Sequence, residues 1–148
     1  MSPLPHDFLL EDDAAIAALL RRTRRVAVLG IKTEEQAHQP AFYVPRYLVD
    51  AGIEIIPVPV YYPEVTEILG KPVVRKLVEI EEPVDLVDVF RRPSDLPSHL
   101  SDILVAKPHA VWLQSGIRHD AFAHALASAG IFVVQDRCLM IEHRRLIH

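Results

Sequence analysis

One cysteine and five glycines are all that the 148 residues contain, and the twenty Asp and Glu outnumber the sixteen Lys and Arg. Each shortage excludes something. A lone Cys138 forms no internal disulfide, and without a CxxC pair there is no zinc or dithiol motif, which suits a reducing cytoplasm. A formal charge of −4 offers no global positive field for sequence-independent capture of nucleic acid. No apolar run reaches the roughly 18 residues of a membrane span, and the opening MSPLPHDFLLEDDAA lacks the basic flank and apolar stretch of a signal peptide. Neither secretion nor membrane insertion is expected. HExxH, GxSxG and P-loop motifs are missing too, and the His119/His124 and His143/His148 pairs are spaced five apart, off one helical face. No metal is expected.

What is present is apolar. Half of the residues are hydrophobic, enough for the two-sided core of one domain spanning 1–148. Asp12 or Asp13 caps an Ala-rich helix that ends in Arg21, Arg22, Arg24 and Arg25, forming an N-terminal helical extension over residues 1–23 that packs on the rest. VAVLG (26–30) is a short unbroken apolar run closed by glycine, the mark of a buried parallel strand. A helix over 41–51 stops at Gly52, and strand 53–60 follows. A short helical turn is expected at 63–69, a third strand at 84–90 and a helix from Pro93 to about Val105. A fourth strand at 109–116, a helix at 120–129 and a fifth strand at 131–136 complete the series. This alternation predicts a doubly wound α/β fold, with a mainly five-stranded parallel sheet and helices on both faces.

In such sheets ligands collect at the C-terminal strand ends. Topology therefore singles out Gly30–Thr33, Pro57–Val60, Phe90–Pro93, Gln114–Ile117 and Asp136–Cys138. The first turn has one glycine and not the GxGxxG of dinucleotide binders. Gly30 either admits backbone close to a diphosphate or merely ends a strand; Lys32 and Thr33 offer donors or are solvated. The second strand ends Pro57-Val58-Pro59-Val60, with no carboxylate to take a ribose diol and none to repel a phosphate on that ribose. Arg91 and Arg92 suit a phosphate, or pair with Asp88 or Asp95. Phe90 is core or an apolar lip, Gln114 and Gly116 a ligand contact or a turn, and Trp112 sheet packing. Cys138, beside Arg137 at a helix start, is either an inert buried thiol or one able to exchange with a disulfide. Asp136 caps that helix or holds Arg137.

VAVLGIK, FYVPRYLVDAG, IEIIPVPV, ILGKPV, VDLVDVFRRP, VWLQSGI and VVQDRCLMIEHRR occur in this order. With them the chain resembles, from about Arg24 to Arg145, the stand-alone bacterial CoA-binding domain proteins, which are similar to the N-terminal CoA-binding domain of the succinyl-CoA synthetase α subunit. The resemblance implies a Rossmann-like fold that binds coenzyme A or an acyl-CoA. It also implies a cofactor site comprising Gly30, Ile31, Lys32 and Thr33 in the first turn, and Pro57, Val58 and Pro59 after the second strand. Phe90, Arg91 and Arg92 follow from the third strand, Gln114, Gly116 and Ile117 from the fourth, and Cys138 from the Asp-Arg-Cys triplet. Lys32 stands where the family commonly has serine, and Pro59 where it has the Asn of PVNP. The phosphorylated-histidine and grasp elements of the synthetase have no counterpart, so a non-catalytic carrier, sensor or partner of an acyl-CoA enzyme is expected. A small enzyme using Cys138 on acyl-CoA or CoA disulfide is one alternative, an NAD-responsive regulator another. The apolar first helix could instead serve a homodimer.

Overall fold

A computed structural model describes residues 4–147. Five parallel strands form the sheet: β1 (Arg25–Leu29), β2 (Glu54–Val58), β5 (Leu86–Val89), β6 (Ala110–Leu113) and β7 (Phe132–Val134), in the order β2-β1-β5-β6-β7. Chain direction across the sheet therefore reverses between β1 and β5. That gap is the switch point at which an open α/β sheet leaves a crevice. β2 is an edge strand, which is why Pro57 is tolerated in it, paired in register with Val28.

Helices α1 (Asp13–Arg22), α2 (Pro40–Asp50) and α5 (Leu139–Leu146) cover one face, where Val28, Leu86, Trp112 and Val134 point. Helices α3 (Leu100–Ala106) and α4 (Asp120–Ser128) cover the other, packing Ile103, Phe122 and Leu126 on Ala27, Val87 and Val111. Sequence alternation within each strand sorts these two cores. The Asp12 side chain accepts from Ala15 N at 3.4 Å to cap α1, and Arg145 grips Asp13 at 2.7 and 2.8 Å to tie α5 to α1. Ahead of α1, a 3-10 turn at Pro5–Phe8 leads to Leu9, which bridges Val133 on the β7 edge.

Two local expectations change. Residues 63–69 do not form a helical turn; β3 (Glu67–Ile68) and β4 (Lys71–Pro72) make a two-residue-per-strand hairpin. Leu69 (φ +53°) and Gly70 (φ +73°) both take left-handed backbone, which forms a reversal and not a helix. The helix expected from Pro93 begins as a 3-10 segment, Pro93–His99, before α3 starts. A second proline, Pro97, removes the amide an α-helical turn would need there.

Candidate functional site

The exit of β1 is pressed against the exit of β5. Gly30 sits at φ +86°, and a Cβ there would come within 2.3 Å of the Phe90 carbonyl oxygen. Only glycine permits both the turn and the approach. Two residues on, Lys32 N donates to Ala41 O at 3.1 Å. That carbonyl is free because its normal helical partner, four residues along, is Pro45, which has no N–H. A proline inside α2 thus pins the first turn to the start of α2, and Lys32 Nζ reaches the Gln39 side chain there.

Above this junction lies a cavity of about 640 Å³, walled by Lys32, Phe90, Arg91, Arg92, Gln114, Gly116, Ile117 and Cys138. Eight of the fourteen residues expected at the site are thus brought together. Gln39, just ahead of α2, and Pro40 and Ala41, its first residues, line it as well, so the positive end of that helix faces the cavity. The signal for them was the proline at the first helical position.

The other six expected residues sit elsewhere. The Ile31 side chain is 1% exposed in the core beneath α2. Thr33 is buried with its hydroxyl 2.6 Å from Gln36 Oε1, and Gly30 contributes the turn itself. Pro57 lies within the edge strand, its carbonyl taking Val74 N at 2.9 Å. Val58 and Pro59 open on a separate cavity of about 590 Å³, shared with Arg75, Lys76, Ser98 and His99.

A ridge parts the two cavities. Arg91 donates from Nε to His99 Nε2 at 3.1 Å, lies 3.5 Å from Asp95, and sits 5.6 Å from the ring centre of exposed Tyr61. Burial first, and the Arg91 charge second, lower the His99 pKa, so neutral imidazole accepts this bond. Arg92 also pairs with Asp95, at 3.0 Å, and is largely exposed. Asp88 is not the partner of either arginine. It is 0% exposed on β5, with both oxygens lacking a hydrogen-bond partner among the described residues, and burial drives its carboxyl well above the ordinary 3.8.

The far end of the cavity is built by β6 and α5. Gln114, 3% exposed, accepts from Leu139 N at 3.1 Å, and Trp112 Nε1 donates to Arg137 O at 2.7 Å. Cys138 precedes the first residue of α5, half-buried and unpaired. Arg137 turns away from it, to Glu11 O at 2.7 Å and to Glu142 at 3.6 Å. Asp136 caps nothing on α5 and does not hold Arg137; at φ +58° it accepts from Gly116 N at 2.6 Å and shapes the β6 exit loop.

Residues 24–144 match the family described as CoA binding domain. The chain belongs to that family. The Bacillus subtilis protein YneT is 34% identical over 130 residues, 88% of this chain and 93% of its own. Among solved structures of this fold, "cell-free ID.343" from Thermus thermophilus is 46% identical, with a TM-score of 0.84 over 93% of this chain and all of that one. The acetyl-coenzyme A synthetase 1 of Ca. Korarchaeum cryptofilum aligns at 16% identity and TM-score 0.65, over 79% of this chain and 27% of that one, a likeness of fold. In this CoA binding domain the residues after β5 and β6 wall the cavity beside Cys138, whereas Val58 and Pro59 at the end of β2 line the other one. No helix among the described residues is long and apolar enough to cross a membrane.

Proposed function

We propose that this protein is a coenzyme A binding module that holds the cofactor, free or acylated, for another protein without turning it over. The observation that carries the reading is the cavity at the β1/β5 switch point, whose two ends differ in the way coenzyme A does. One end gathers Lys32, Arg91, Arg92 and the start of α2, a donor set suited to a diphosphate. The other offers Phe90 and Ile117 as apolar wall and Gln114 as an amide partner, a set suited to pantetheine. Across the Arg91 ridge, the carboxylate-free end of β2 faces Arg75, Lys76 and Ser98, surroundings that tolerate an adenosine bearing a 3′-phosphate. Asp102 in that cavity is engaged by Leu77 N at 3.0 Å. His99, whose Nε2 is occupied by Arg91, is not free to act as a base toward a ligand in that second cavity.

Calorimetry with coenzyme A, acetyl-CoA, 3′-dephospho-CoA, NAD and NADP tests this. Coenzyme A and acetyl-CoA are expected to bind at least about tenfold tighter than NAD, a difference of about 1.4 kcal/mol. NAD binding equal to or tighter than coenzyme A overturns the assignment. Equal binding of 3′-dephospho-CoA removes the role given to the second cavity alone.

A further inference from the structure

We propose that Cys138 captures oxidised coenzyme A, its Sγ forming a mixed disulfide with the pantetheine sulfur; this rests on the coenzyme A reading above. Cys138 is unpaired, half-buried and part of the cavity wall. Beside it stands Gln114, almost wholly buried, in the same wall. The Leu139 N–H requires an oxygen, so the bond at 3.1 Å fixes Gln114 Oε1 toward α5 and leaves Nε2 on the opposite fork of the amide. Nε2 has no acceptor among the described residues, and Gln114 is part of the cavity wall. An amide donor that is accessible from the cavity and has no protein partner is matched by a carbonyl on whatever enters.

Pantetheine presents that carbonyl in its last amide, a short methylene link from its thiol. Bound by that amide to Gln114, the arm ends next to the residue that leads α5. Cys138 immediately precedes Leu139, the partner of Gln114, so amide and sulfur are addressed by adjacent groups of one wall. The neighbouring Arg137 is turned to Glu11 and Glu142 and takes no part.

The reaction needs one named oxidant, the symmetric disulfide of coenzyme A. Cys138 loses its proton to solvent and its thiolate attacks one sulfur of that disulfide. The Sγ–S bond forms as the S–S bond breaks, and the departing coenzyme A thiolate takes up a proton. Electrons balance within the exchange. The chain then retains one coenzyme A until a reducing thiol releases it, which makes retention of the cofactor depend on the state of the thiol pool.

The full-length protein, reduced and freed of reductant, is incubated with coenzyme A disulfide and analysed by intact and peptide mass spectrometry. One coenzyme A moiety on Cys138, released by dithiothreitol, is expected. It should form about tenfold faster than the adduct with hydroxyethyl disulfide, which has no nucleotide for the site to hold. Cys138→Ser, its folding checked by thermal midpoint, forms no adduct. Gln114→Glu keeps the acceptor for Leu139 N–H but removes the amide donor, and should reduce the preference for coenzyme A disulfide while the hold on the nucleotide keeps it above unity. If reduced coenzyme A binds by calorimetry yet no adduct forms, or both disulfides react equally fast, capture is overturned and the binding reading stands. If coenzyme A binds in neither redox state, both fall.

Discussion

The two halves of the crevice use the same device, a strand that ends against a turn, and arrive at opposite results. At the β1 and β2 exits the side chains turn inward: Ile31 joins the core, Thr33 bonds Gln36, and Pro57 and Val58 are buried. At the β5 and β6 exits Phe90, Arg91 and Ile117 stay partly exposed and, with the buried Gln114, form the cavity wall. Motif position locates a strand end, but pleat and turn geometry decide which neighbours of that end a ligand can touch. The half nearest β2 contributes shape, through Gly30, and a single cation, Lys32. The half nearest β6 contributes most of the chemistry.

Gly30 is where the halves meet, so it offers the severest way to break the comparison. Gly30→Ala places a methyl 2.3 Å from the Phe90 carbonyl at a φ of +86°. Backbone on both sides leaves nothing flexible to yield, and a loss of about 4 kcal/mol is expected. Urea unfolding measures it. A variant within about 1 kcal/mol of the parent would show that the β1 and β5 exits are free to part, and the cavity floor with them.

The next effect has the opposite sign. Asp88 lies under the β5 half, on the face of Leu86 and Trp112, where its register partner in β1 is Val28. Its folded pKa is raised above the unfolded 3.8 by burial. The carboxyl is therefore held protonated when folded and ionises when unfolded, so it stabilises the fold fully only below 3.8, and that contribution is lost as pH rises toward the folded value. Asp88→Asn, of nearly the same shape and unable to ionise, should raise stability by about 2 kcal/mol at pH 7.5, with the gain shrinking as pH falls toward 4. A gain independent of pH would mean that Asp88 is not held neutral. The β5 half would then lose the one feature that makes it costly to build.

These two residues also mark what the sequence could disclose. Sheet, strand positions and both helix layers follow from apolar runs alternating with helical periods, because burial on two faces leaves parallel strands no polar positions to spare. Asp88 breaks that rule from inside VDLVDVF, and charge alone suggested an arginine partner. Only the pleat shows that it points away from Arg91 and Arg92 into the core. The Glu67–Pro72 hairpin was invisible for a different reason: two-residue strands carry no periodicity. Gln114 and Cys138 were legible as positions, whereas the bond through Leu139 N that orients the glutamine joins residues 25 apart in the chain. Lys32 was legible as a cation, but not the Pro45 that frees a carbonyl to hold it.

Lys32 gives the mildest and most direct test, because its immediate neighbours face the other way. Its ammonium meets Gln39 at the mouth of α2, while Ile31 and Thr33 are buried on either side. If the β1 half contributes one cation and otherwise only shape, Lys32→Ala should weaken coenzyme A binding about tenfold, near 1.4 kcal/mol, and flatten its dependence on salt. Thr33→Val, which removes a hydroxyl bonded only to Gln36, should leave the affinity within about twofold and cost about 1 kcal/mol of stability instead. Calorimetry at low and high salt separates the two. Should Thr33→Val match Lys32→Ala in lost affinity, the hydroxyl reaches the ligand after all, and the contrast between a buried and a partly exposed half of the crevice does not survive ligand binding.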